Sequence, residues 1–99
     1  MKNIYKEHYR IICERGLITP TTTSHEFIIK LDEEYHECLN EYADDLHMNK
    51  RFPSREFIQE SVDVMMVIAN MLTHLGLNVE KEIRTNIETQ KQRCAVQVK

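Results

Sequence analysis

Two glycines and two prolines in 99 residues leave few points at which a helix would break, which argues against a turn-rich β fold and for long uninterrupted helices. Tryptophan is missing altogether. Cysteine is sparse and unsuited to cross-linking: Cys13, Cys38 and Cys94 are odd in number, widely spaced and without a CxxC, so they read as reduced thiols filling space and not as a disulfide frame or zinc site. No window approaches about eighteen apolar residues, and the N-terminus lacks the apolar core of a signal peptide. The expectation is a soluble, cytoplasmic protein with no membrane partner. Basic stripes are missing too. Between Ser24 and Asn49 eight acidic side chains face a single lysine, Lys30, and such a stretch repels nucleic acid.

What is present is enough apolar material for one folded domain spanning 1–99. Apolar residues are 41% and charged residues 29%, too apolar for a disordered chain. Ile4, His8, Ile11 and Ile12 recur at helical spacing between Asn3 and Arg15, and Gly16 is a left-handed stop. The stretch Thr19-Pro-Thr-Thr-Thr23 is a linker, and Thr23 with Glu26 forms a capping box that opens a second helix running to about Met48. Its apolar stripe includes Phe27, Leu31, Tyr35, Cys38 and Tyr42, with Glu34, Glu37, Glu41 and Lys30 along one margin.

Ser54 is the N-cap expected for a third helix, 54 to about 75, which is apolar nearly all round and therefore belongs in the middle of the fold or in a subunit interface. Past its first turn the charges are Glu60 and Asp63. Two anions on so apolar a helix are costly without a partner or a metal. Gly76 closes it, Asn78 caps a last helix from Val79 to about Arg93, and the tail from Cys94 is expected to fray. The predicted class is all-α: four helices, the second and third antiparallel, in an oligomeric helical bundle.

Helical spacing puts Glu34 with Glu37, and Glu60 with Asp63, on neighbouring turns of their helices, so four oxygen-bearing side chains can converge on a hard divalent cation. Glu33-x-x-His36 and Asp44-x-x-His47 imitate a di-iron signature, but both lie on one helix where such a bundle needs two. His36 reads as a surface histidine, His74 as a core or interface residue, and Met65, Met66 and Met71 as packing. Glu41, Asp44 and Asp45 read as a solvated face.

At Lys30-Leu-Asp-Glu-Glu-Tyr-His-Glu37, followed after 22 residues by Glu60-Ser-Val-Asp63, the sequence resembles the MazG-like all-α nucleoside triphosphate pyrophosphohydrolases, with their EExxE and ExxD motifs. Glu-Arg-Gly-Leu at the end of the first helix and Leu-Gly-Leu-Asn78 after the apolar run extend the likeness over most of the chain. The resemblance implies Mg2+ (or Mn2+) held by Glu34, Glu37, Glu60 and Asp63, with Glu33 ordering or deprotonating the attacking water and Lys30 reaching a phosphate. It implies cleavage between the α- and β-phosphates of an NTP or dNTP, by a homodimer or homotetramer. Where the family's last helix carries Lys-x-x-x-Asn and a basic residue near the phosphates, this chain has Asn86 and Gln90, then Lys91 and Arg93. Phe27, Tyr35 or Phe57 would replace the tryptophan that many relatives stack on the base. The competing readings are a nucleotide- and metal-binding or helical interaction module of the same fold without turnover, and a phosphoribosyl-ATP pyrophosphohydrolase.

Overall fold

The computed structural model describes residues 3–48 and 51–97. Four helices form: α1 (Ile4–Glu14), α2 (Ser24–His47), α3 (Arg55–His74) and α4 (Val79–Gln97). Each of the first three opens on a side-chain cap that satisfies otherwise unpaired N–H groups. Asn3 Oδ1 accepts from the backbone of Tyr5 at 3.0 Å and Lys6 at 3.3 Å. Thr23 and Glu26 exchange the two bonds of a capping box, and Ser54 Oγ accepts from Phe57 N. Gly16 and Gly76, at φ +77° and +87°, end α1 and α3 in the left-handed region where a Cβ would be strained.

α2 and α3 run antiparallel, as the pairs along their seam show: Asp45 with Ser54, Cys38 with Ser61, and Phe27 with His74. α1 lies against the C-terminal half of α3. His74 fastens this junction: its Nε2–H donates to the Thr22 carbonyl at 2.8 Å, since a carbonyl can only accept, and its Nδ1 is hydrogen-bonded to the Tyr9 hydroxyl at 2.7 Å. One side chain thus joins α1, the 19–23 linker, α2 through Phe27, and α3.

The fully buried apolar residues are few: Ile18, Phe27, Ala69 and Val79. α3 is the helix against which α1, α2 and α4 all pack, but the single chain does not cover it all round: Ile58, Val62, Met65 and Ile68 face outward and Met65 is 65% exposed. Met66 and Met71 are half-buried, as packing residues should be. α2 carries a second outward stripe, with Ile28, Tyr35, Leu39, Tyr42 and Leu46 exposed about a quarter-turn from its α3-facing side. The chain turns through 110° between α3 and α4, so α4 packs only slightly, chiefly against α3, and Ile83 and Ile87 remain exposed. Its helix continues to Gln97, past the expected end at Arg93, since no proline or glycine interrupts 79–97. The radius of gyration is 16.7 Å, against about 13 Å for a compact chain of this length. Among the described residues no single helix is long and apolar enough to cross a membrane.

Candidate metal centre

The side of α2 that meets α3 repeats at helical intervals through Phe27, Glu34, Cys38 and Asp45, so seam packing draws Glu34 inward until it is 8% exposed. Glu37, one turn on and rotated toward solvent, stays exposed at the rim. From α3, half-buried Glu60 comes across to meet them. One carboxylate oxygen from each of Glu34, Glu37 and Glu60 lies within 4.8 Å of the other two. Asp63, one turn further along α3, stands outside this trio but close enough to Glu34 to feel its charge.

The cluster is electrostatically unresolved by protein groups alone. Glu60 Oε2 is buried without a hydrogen-bond partner. Desolvation first, then the charges of Glu37, Asp63 and Glu34, push the Glu60 carboxyl above the usual range. Desolvation and Glu34 push Asp63 up as well, opposed by His8 and Lys30. Among the described residues the cation paired with this cluster is Lys30, at its exposed edge, whose Nζ is 3.1 Å from Glu34 and 3.7 Å from Glu33. Its hydrogen bond to Glu34 raises its own pKa, against an opposing desolvation effect. An oxygen-only donor set with an orphaned buried oxygen fits a hard divalent ion such as Mg2+, and does not fit zinc or copper, which favour nitrogen and sulfur.

A cavity of about 560 Å³ opens beside the cluster. Lys30, Glu34 and Asp63 line it together with Phe27, Val67 and Asn70, and α1 with its C-cap contributes His8, Ile12 and Arg15. Of the aromatic residues expected to replace tryptophan, Phe27 lines this space. Tyr35 faces out on the opposite stripe, and Phe57 joins Tyr42 and Phe52 in a separate aromatic group.

Sequence-predicted residues are therefore brought together unequally. Glu34, Glu37 and Glu60 converge, Asp63 and Lys30 flank them, and Glu33 lies outside on an exposed surface, paired to Lys30. Asn86, Gln90, Lys91 and Arg93 are exposed on α4; none lines the cavity, and Lys91 Nζ is held by Glu88 at 3.2 Å. His36 is on the surface, bonded to the Asp32 carbonyl.

Asp45 departs from the solvated face assigned to it: it is 2% exposed, and Oδ2 accepts the Ser54 N–H at 3.1 Å, tying the start of α3 to the end of α2. Its phase with Phe27, Glu34 and Cys38 was the sequence signal for this. Asn70 and Arg15 were overlooked as cavity residues: Asn70 belongs to no motif, and Arg15 stood in the Glu-Arg-Gly-Leu stretch only as a mark of the end of the first helix. No protein-family model, curated protein or solved structure matches the chain.

Proposed function

We propose that the chain is a Mg2+-dependent nucleotide pyrophosphohydrolase of the MazG-like kind, hydrolysing an NTP or dNTP between its α- and β-phosphates to a nucleoside monophosphate and pyrophosphate. The observation that carries this reading is the meeting of Glu34, Glu37 and Glu60 around a buried, unpartnered carboxylate oxygen at the edge of a cavity of nucleoside size. Carboxylates gathered this closely with one lysine repel each other, and a divalent cation removes the repulsion. Bound there, Mg2+ supplies charge neutralisation to the triphosphate and Lewis acidity at the attacked phosphorus.

The protein's own groups complete the chemistry. Glu34, Glu37 and Glu60 hold the ion. Glu33 is the exposed carboxylate that takes the proton of the attacking water as its oxygen adds to the α-phosphorus and the bridging oxygen leaves with pyrophosphate. Lys30, released from Glu34 once a cation shares that carboxylate, turns to a phosphate oxygen. The test is incubation with a panel of NTPs, dNTPs and phosphoribosyl-ATP plus Mg2+, with detection of pyrophosphate. Release from at least one nucleotide, abolished in Glu37→Gln, is expected; no release from any of them overturns the reading.

One observation favours the non-catalytic alternative: the α4 positions at which relatives place phosphate-binding groups stand clear of the cavity, with Lys91 engaged by Glu88. Calorimetry showing Mg2+-dependent nucleotide affinity without turnover would establish that alternative.

The same reading includes a homodimer or homotetramer. Its support is the outward apolar surface of the α2–α3 hairpin, on the side away from the carboxylates, together with the open shape of the lone chain. A monomeric mass by light scattering at micromolar concentration would remove it.

A further inference from the structure

Among the residues that line the cavity, the carboxylates and Lys30 are accounted for; Asn70 is a buried polar group that nothing so far uses. Asn70 is 5% exposed and lines the cavity. Its side chain meets one partner, His8 Nδ1, which lies 3.2 Å from Nδ2 and 3.4 Å from Oδ1. A single imidazole nitrogen engages one of those atoms at a time. If Nδ1 accepts, Asn70 retains one N–H and its carbonyl oxygen; if Nδ1 donates, both N–H groups and a lone pair remain. In either case the buried carboxamide keeps an adjacent donor and acceptor, and leaving such a pair unmet is costly.

The surroundings narrow what can meet it. Ile12, Phe27 and Val67 make the neighbouring walls apolar, which suits a planar ring and is poor for a sugar hydroxyl cluster or a bare polyphosphate. A carboxamide matches a ring edge that presents a neighbouring acceptor and donor, as nucleobases do. We infer that Asn70, oriented by His8, is the specificity-determining residue of this cavity and reads the edge of a nucleobase. The inference rests on the pyrophosphohydrolase reading for the placement of the phosphates, and on the cavity itself for the base.

The test pairs kinetics with a binding measurement that needs no turnover. Wild type, Asn70→Leu and the same-sized Asn70→Asp are compared across ATP, GTP, CTP and UTP and their deoxy forms. Phosphate-free nucleosides are titrated while the Asn70 side-chain amide is followed by NMR. The expected result is a loss of about tenfold or more in kcat/KM on the preferred base in Asn70→Leu, carried by KM, with much smaller losses on the others. Asn70→Asp should reorder the preferences, and at least one nucleoside should shift the Asn70 amide resonances. A purely structural Asn70 would lower all substrates alike in both variants and leave the amide unmoved by nucleosides; that result overturns the inference while leaving the hydrolase reading intact. If no nucleotide is hydrolysed, or the variants fail to fold, the wild-type titration decides alone: a shifted amide sustains the base-reading role and an unshifted one ends it.

Discussion

Lys30 Nζ lies 3.1 Å from a Glu34 carboxylate oxygen, so the most buried member of the acidic cluster is neutralised by a side chain one turn before it on the same helix. The lysine occupies the role that a bound cation would take over. Lys30→Met should therefore lower the melting temperature of the metal-free protein slightly, by the equivalent of less than about 1 kcal/mol because the lysine is largely solvated. The stabilisation gained on adding Mg2+ should become larger than in wild type, since Glu34 no longer has a competing partner. Paired melts in chelator and in Mg2+ measure both, and an unchanged Mg2+ increment would show that lysine and metal do not compete.

Glu60→Gln removes a charge from the group whose buried oxygen has no partner. Without metal the variant should melt a few degrees above wild type at neutral pH, because like-charge repulsion is relieved with little change of shape. Added Mg2+ should then raise its melting temperature far less than that of wild type. A variant less stable than wild type in chelator would contradict the account of Glu60 given above.

The pH dependence has a definite sign. Burial and neighbouring carboxylates hold the Glu60 and Asp63 carboxyls above their ordinary 4.5 and 3.8. Folded chains thus retain protons that unfolded chains release, and these groups' contribution is fully present below the ordinary values and lost as pH rises through the elevated ones. In chelator, the melting temperature of wild type minus that of Glu60→Gln should fall from near zero at about pH 4 to a negative value at about pH 7. A difference that stays flat across this range would count against the raised carboxyl.

Asp45→Ala removes the carboxylate that accepts the Ser54 N–H at 3.1 Å and should cost about 1–3 kcal/mol in a urea melt. Asp45→Asn, which keeps an acceptor in the same place, should lose less. Both should respond to Mg2+ as wild type does, since Asp45 belongs to the turn between α2 and α3 and not to the acidic cluster.

Leu39→Glu together with Met65→Glu places charge on the outward apolar stripes of α2 and α3. If the proposed assembly forms through these stripes, light scattering should report a larger mass for wild type and a monomer for the double variant, with helical circular dichroism retained. An unchanged mass would locate the contact elsewhere.

The helices were legible because their boundaries are written in local chemistry. Asn3, Thr23, Ser54 and Asn78 are capping residues, and Gly16 and Gly76 supply the positive φ that other residues resist. The pairing of Glu34 with Glu37 was legible from their spacing on one helix, but spacing did not say which acidic group of α3 would meet them: Glu60 does, while Asp63 stands outside. Asp45 was misread because its acidic neighbours disguised its phase, although that phase matches Phe27 and Glu34. The cavity was not legible at all: it is made by α1 folding back on α3, a contact between residues such as His8 and Asn70 that lie 62 positions apart. The direction of α4 follows from the backbone at Gly76, and side-chain periodicity contains no information about it.

The space beside the carboxylates has α1 as one of its sides, through His8, Ile12 and Arg15. It exists only while that helix is docked, so any molecule filling it also clamps the first turns of the chain in place. Occupancy and N-terminal docking are then a single linked equilibrium: amide hydrogens from about residue 7 to residue 14 would exchange more slowly with each increment of bound ligand, on a helix that contributes none of the three converging carboxylates.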